Sequence, residues 1–260
     1  FFGRAEKFDF VDVDPFGTPM RQLPAAISAT ADEGIISVTA TDTAALCGVY
    51  PRAALRRYAA NPVNNHFHHE TGIRILVNAV RRQAAQTDVG ISPVAAHSTR
   101  HYVRAYVRMI RGASKADTSQ GLEGYVVWCP SCGTTESSQA FRESCGKCRK
   151  KAKVAGPLWL GSLTESDVVE RAAAAAGQRG FGVAAKILSS LLPLPKFPPW
   201  SFNIDGICSL LGKATVKEGS VRTSLADAGY GSCRQPFEKT GIKTDAPYEV
   251  IMEAVRLLAG

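Results

Sequence analysis

Cys129-Pro130-Ser131-Cys132 and Cys145-Gly146-Lys147-Cys148 each put two thiols on one tight turn, and the twelve residues Gly133 to Ser144 separate the pairs. Two such knuckles can fold back on each other and offer four thiolates at the corners of a tetrahedron, the closed geometry of structural zinc. Sulfur then fills every position and leaves none for water, so the expected ion shapes the loop and does no chemistry. A redox dithiol is the rival for either pair alone; two pairs joined by a basic loop fit it poorly. Gly133 and Gly146 fall where turns need small residues and where backbone amides can point at sulfur. The other cysteines, Cys47, Cys208 and Cys233, read as inert, partly buried small residues.

Asp14-Pro15-Phe16-Gly17 is the second candidate. The run Phe8 to Val13 reads as a buried strand, which places this tetrapeptide at a strand's carboxyl end, where open α/β sheets bind ligands. A carboxylate beside an exposed ring could hold the N–H groups of a base and support its face, as methyl transfer to a poorly nucleophilic exocyclic amine requires. An ordinary turn with Pro second and Gly fourth would look the same. Asn65-His66-Phe67-His68-His69-Glu70 is histidine-rich but matches no recognised metal spacing, so its histidines read as structural or RNA-facing.

The elements that must carry these residues begin with strand, helix, strand, helix: Phe8–Val13, Pro19–Asp32 closed by Gly34, Ile35–Val38 and Pro51–Ala60. That rhythm belongs to a parallel α/β sheet. Ile73–Gln86 reads as an amphipathic helix. Val103, Ala105, Val107 and Met109 alternate with Tyr102, Arg104, Tyr106 and Arg108, which marks a strand with one apolar face and one basic, aromatic face. An α+β region follows the cysteines, with helices expected at Asp167–Ala176, Phe181–Leu191 and Pro247–Leu258. Thr215 and Glu218 have the spacing of a capping box for a further helix reaching Ala228.

The net charge of +8 is local. Between His97 and Gly156 eleven Lys and Arg face four acids, and clustered positive charge without lipid-anchoring features suits a polyanion, nucleic acid above all. A solvated basic face is the alternative. Arg104, Arg108, Arg111, Lys115, Lys147, Arg149, Lys150, Lys151 and Lys153 are the candidate RNA-binding residues. No run approaches a membrane span and no signal segment opens the chain, so a cytoplasmic setting is expected, with no obligate protein partner implied. The chain starts at Phe1 and meets a strand at once, as though inside a fold.

Taken in order, Asp12-Val-Asp-Pro-Phe-Gly17, Ala40-Thr-Asp-Thr43, Leu46-Cys-Gly48, Glu70 to Leu76, Arg111-Gly112, Gly124-Tyr125, Gly156-Pro-Leu-Trp-Leu-Gly161 and Gly241-Ile-Lys-Thr-Asp-Ala-Pro247 resemble the tRNA (guanine-26-N2)-dimethyltransferase family, its archaeal members above all. The resemblance runs nearly end to end. It implies an S-adenosylmethionine-dependent enzyme that methylates guanine N2 in tRNA, with Asp14 and Phe16 as catalytic residues, Asp14 and Pro15 beside the methyl donor, and the four cysteines as zinc ligands. The implied fold is the C-terminal half of a class I (Rossmann-like) methyltransferase sheet over residues 1–115, then a zinc-containing, tRNA-binding α+β domain over 116–260. The Gly-rich loop and ribose-binding acid of such folds would precede Phe1, so the chain alone is expected to be inactive. Arg234-Gln-Pro-Phe237 stands where the family usually has an Arg-Thr-His-Phe-like run. An RNA-binding fragment without catalysis, or an amino-methyltransferase for another base, are the other readings.

Overall fold

The computed structural model describes residues 6–238 and 240–260. Its first part comprises β1 (Phe8–Val13), α1 (Leu23–Ala29), β2 (Thr30–Ala40), α2 (Thr43–Leu46), α3 (Pro51–Tyr58), α4 (His68–Ala85), β3 (Val89–Thr99), β4 (Tyr102–Arg111) and α5 (Ala113–Gln120). The four strands form one sheet in the order β1-β2-β4-β3. The opening strand-helix-strand unit makes β1 and β2 parallel as expected. The sheet as a whole is mixed, because β4 runs antiparallel to both β2 and β3. Only two residues link β3 to β4, and a connection that short permits only an antiparallel pair.

Several local expectations change. The helix expected over 19–32 stops at Ala29, and β2 takes over from Thr30. The strand accommodates Glu33 at φ +60° through an irregularity opposite Phe8–Phe10. Gly34 does not end a helix: a Cβ there would lie 2.8 Å from Thr30 Cγ2, so it allows the strand's close approach to itself. β1 is not buried. Phe8 and Phe10 are more than half exposed, and β1 pairs with β2 along one edge only among the described residues. β3 hides in the sequence because Pro93 interrupts it; the structure places that proline on an edge strand at a register shift, where a missing N–H costs little.

β4 keeps its alternation: Val103, Ala105, Val107 and Met109 are fully buried while their neighbours face the other side. α4 starts at His68 and is a central pillar, packed against β3, β4 and the second sheet, with Glu70, Arg74, Asn78 and Arg81 buried along with its apolar residues. β5 (Glu123–Trp128), β6 (Thr135–Ser138) and β7 (Lys153–Trp159) form that antiparallel second sheet, in the order β6-β5-β7.

α6 (Ser166–Gln178) and α7 (Gly182–Leu191) pack against β3. The last part holds β8 (Phe202–Asn203), α8 (Ile204–Leu210), α9 (Glu218–Asp227), β9 (Ser232–Arg234), β10 (Gly241–Thr244) and α10 (Tyr248–Leu258), with sheet order β8-β10-β9. α9 begins at Glu218 behind Lys217 with no side-chain cap, so the Thr215–Glu218 capping box does not form. The main hydrophobic core runs from Val13 through β7 to Phe237, across the expected boundary at 115/116. α5, which straddles that boundary, packs on β3 and α4. A second core fills the C-terminal part, and a small third one surrounds the cysteines.

Candidate active site, zinc centre and nucleic-acid surface

Parallel pairing brings the carboxyl ends of β1 and β2 side by side, so the loops that follow them meet. The Gly17 amide donates to Thr41 Oγ1 at 2.7 Å, and the Thr41 amide donates back to the Gly17 carbonyl at 2.9 Å. Gly17 sits at φ +81°, which glycine adopts without strain. The adjacent Asp42 is clamped by the Tyr58 hydroxyl at 2.6 Å and Arg57 Nη1 at 2.9 Å. Burial and that carboxylate push the Tyr58 phenol up, so it stays protonated and donates. Two stretches far apart in sequence, Asp12 to Gly17 and Ala40 to Thr43, therefore form one pinned platform. From it the Asp14 side chain projects 59% exposed and Phe16 stands fully in solvent.

Arg104 reaches this platform from β4. It donates to Asp12 Oδ1 at 2.7 Å and Thr39 Oγ1 at 2.9 Å, and its Nη1 lies 3.9 Å from Asp14 Oδ2. Its guanidinium also lies 5.5 Å from the centre of the Tyr106 ring. On the same sheet face His97 packs against Tyr102 and Tyr106, and burial, with Arg104 nearby, lowers its pKa from 6.5 to about 4.

The four expected zinc ligands converge. The sulfurs of Cys129, Cys132, Cys145 and Cys148 all lie within 4.8 Å of one another, with Cys129–Cys148 at 3.5 Å and Cys132–Cys145 at 3.7 Å. A tetrahedron with Zn–S bonds of about 2.3 Å has edges of about 3.8 Å, so the sulfurs fit a zinc ion. The amide aimed at sulfur is that of Cys148, 3.5 Å from Cys145 Sγ; the Gly146 amide, expected in that role, donates to Glu136 Oε1 instead. Gly133, at φ +73°, lies so close to Tyr248 that a Cβ would overlap the ring. Lys147 of the second knuckle forms an ion pair with Glu249. Both contacts dock the zinc loop onto the start of α10.

The basic residues divide into two sets. Arg104 is engaged as described, Arg108 donates to Glu165 Oε2 at 2.8 Å, and Arg111 donates to the Thr30 carbonyl at 2.7 Å. Lys147 is paired, and Lys153 lies over the Trp128 ring. Lys115, Arg149, Lys150 and Lys151 have exposed side chains and make no ion pair among the described residues. Arg149 to Lys151 form one contiguous patch beside the second knuckle.

Sequence reasoning missed a buried polar junction. Glu70 Oε1 accepts Arg74 Nε at 3.0 Å, Arg74 Nη2 at 2.9 Å and Lys243 Nζ at 2.8 Å, while Oε2 accepts Gln235 Nε2 at 2.7 Å. Arg74 Nη1 also donates to the carbonyls of Trp159 and Gly161 at 2.9 Å. Burial by itself would raise the Glu70 carboxyl, but Lys243 and Arg74 outweigh it and hold the group below the usual carboxylate range. Four stretches noted in the sequence meet here: Glu70 to Leu76, Gly156 to Gly161, Arg234 to Phe237 and Gly241 to Pro247. A Glu and an Arg four apart on a largely apolar helix were the available signal.

Comparisons with known proteins place the chain in a family. The family profile described as N2,N2-dimethylguanosine tRNA methyltransferase matches residues 2–256. The chain is 36% identical to a tRNA (guanine(26)-N(2))-dimethyltransferase of Methanosarcina acetivorans, covering 98% of this chain and 67% of that protein. It is 36% identical to the Pyrococcus abyssi protein of the same name, over 95% and 64% respectively. Among solved structures, Trm1 from Pyrococcus horikoshii in complex with S-adenosyl-L-methionine superposes with a TM-score of 0.86 at 37% identity, covering 95% of this chain and 66% of that one. The chain thus spans about two thirds of the length of the relatives it matches. It belongs to the N2,N2-dimethylguanosine tRNA methyltransferase family.

Proposed function

We propose that this chain, within a longer protein, methylates the N2 amino group of guanine 26 in tRNA with S-adenosylmethionine as donor, giving N2-methylguanine and then N2,N2-dimethylguanine. The observation that carries the reading is the Asp14-to-Gly17 loop, pinned to Thr41 at the open end of a parallel strand pair with Asp14 and Phe16 presented to solvent. S-adenosylmethionine supplies an electrophilic methyl group. Asp14 and the Pro15 backbone are the residues of this chain that would lie beside it.

Phe16 supports the face of the guanine. The Asp14 carboxylate accepts a hydrogen bond from the N2 amino group and draws electron density onto that nitrogen, an interaction that strengthens as positive charge develops there. Arg104 positions Asp12 and Asp14. Cys129, Cys132, Cys145 and Cys148 hold one structural zinc, and Lys115 with Arg149 to Lys151 contact tRNA phosphates. Arg104, Arg108, Arg111, Lys147 and Lys153, already engaged within the protein, shape that surface.

Residues 1–115 make up the C-terminal part of a class I methyltransferase domain. The insertion of antiparallel β4 beside the parallel β1-β2 pair supports that assignment. Residues 116–260 form the zinc-containing tRNA-binding domain. The remaining third of the relatives' length would supply the glycine-rich donor loop, so this chain alone should bind tRNA with little turnover. The test uses the full-length protein with methyl-labelled S-adenosylmethionine and tRNA, followed by nucleoside analysis. Label in N2-methyl- and N2,N2-dimethylguanosine, lost when guanine 26 is replaced by adenosine, is expected. Label at another base, or none, would refute the reading.

A further inference from the structure

The histidine-rich segment has a destination that its spacing does not reveal. Cys47 ends α2, His68 and His69 open α4, and the two helix ends are in direct contact. A Cβ on Gly72 would lie 3.2 Å from Leu46 Cβ, and one on Gly48 would lie 2.7 Å from the Asn64 amide. One donor atom each from Cys47, His68 and His69 falls within 4.8 Å of the other two. Outside these three stand the groups that orient them. His68 Nδ1 is hydrogen-bonded to the Asn65 carbonyl, and His69 Nδ1 is 2.7 Å from Glu238 Oε1.

A ring that donates from Nδ1 to an oxygen keeps its lone pair on Nε2, and an imidazole backed by a carbonyl or a carboxylate is the usual outer arrangement around a metal-bound histidine. Cys47 is buried while His69 keeps a third of its side chain exposed, which leaves an entry route for an ion.

We infer that Cys47, His68 and His69 form a second metal site, which takes one zinc-like divalent cation. One thiolate and two imidazoles suit zinc or cobalt and leave a fourth position for water. Binding expels the Cys47 proton to solvent and forms the metal–sulfur bond in its place; no electron is transferred. The site shares no ligand with the Cys129 cluster. Through Glu238 it would tie the platform-bearing end of the first sheet to the C-terminal part of the chain.

The test is zinc stoichiometry by elemental analysis of the folded chain after reconstitution and passage over chelating resin. Two equivalents per chain are expected, with one in Cys47→Ala/His68→Asn and in the milder His69→Gln. Cobalt loading gives a second measure: the spectrum of wild type minus variant should show tetrahedral cobalt bands with charge transfer from a single thiolate. One equivalent in folded wild-type protein overturns the inference without recourse to any variant. So does a second equivalent that persists in the folded variants.

Discussion

Glu70 and Lys243 lie 2.8 Å apart, each side chain 1% exposed, although 173 residues separate them in the chain. The pair joins α4 of the first part to β10 of the last. Removing Glu70 strands two buried cations, Lys243 and Arg74, which costs about 3–5 kcal/mol, whereas removing Lys243 leaves Glu70 paired with Arg74. Glu70→Gln should therefore destabilise the chain on that scale and Lys243→Met by less, and Glu70→Gln/Lys243→Met should lose less than the sum of the single variants. Denaturant unfolding of the four proteins in a double-mutant cycle measures the coupling. Strict additivity would show that the two charges do not interact.

The zinc ion should be a folding element. Structural zinc contributes on the order of 10–16 kcal/mol of apparent binding energy in small peptides at neutral pH, so stripping it should unfold β5, β6 and the knuckles at least. Hydrogen exchange before and after chelation would show protection lost at residues 123–159. Clean protein without zinc at the Cys129 cluster would contradict the assignment.

Lys115, Arg149, Lys150 and Lys151 should act through phosphates. Their joint replacement by Ala should weaken tRNA binding irrespective of sequence and flatten log affinity against log salt by up to about 0.9 per lost contact on duplex. An unchanged slope would make the patch a solvated face.

His97 should make the fold acid-sensitive. Its pKa falls from 6.5 to about 4 through burial, with Arg104 nearby, so the unfolded chain binds the extra proton between those values. The stabilisation is present above pH 6.5 and is lost as pH falls toward 4, on the order of 2 kcal/mol. The stability difference between wild type and His97→Asn, measured at pH 7 and pH 4.5, should narrow by that amount. A difference independent of pH would mean that His97 takes up its proton as readily in the folded chain as in the unfolded one.

How much of this the sequence reveals depends on the range of each constraint. Chelation acts over a few residues, so the four cysteines are legible from spacing, as is the two-residue period of β4. Asp14 is placed by the strand before it, yet its pinning to Thr41 depends on parallel pairing that no local pattern encodes. β3 is masked by Pro93, whose tolerance depends on its place at the sheet edge. The segment of α4 reads as an amphipathic helix because its charges look solvated. Their partners, Lys243, Gln235 and Glu123, lie 42 to 173 residues away. Arg104 and Arg108 look like phosphate ligands for the same reason, and only the fold shows the acids that engage them.

The central claim is that Asp14 assists methyl transfer to guanine N2, and the direct measurement is the single-turnover rate of Asp14→Ala in the full-length protein with saturating enzyme. Loss of one electrostatic stabiliser of the transition state should lower that rate about a hundredfold or more while tRNA affinity changes little. Asp14→Asn, which keeps the shape and one acceptor oxygen, should fall between. Phe16→Ala should instead impair kcat/KM as a whole, since stacking on a ring contributes about 1–3 kcal/mol per base. A near-normal rate for Asp14→Ala, with fold and tRNA binding intact, would contradict the account and leave Asp14-Pro15-Phe16-Gly17 an ordinary turn.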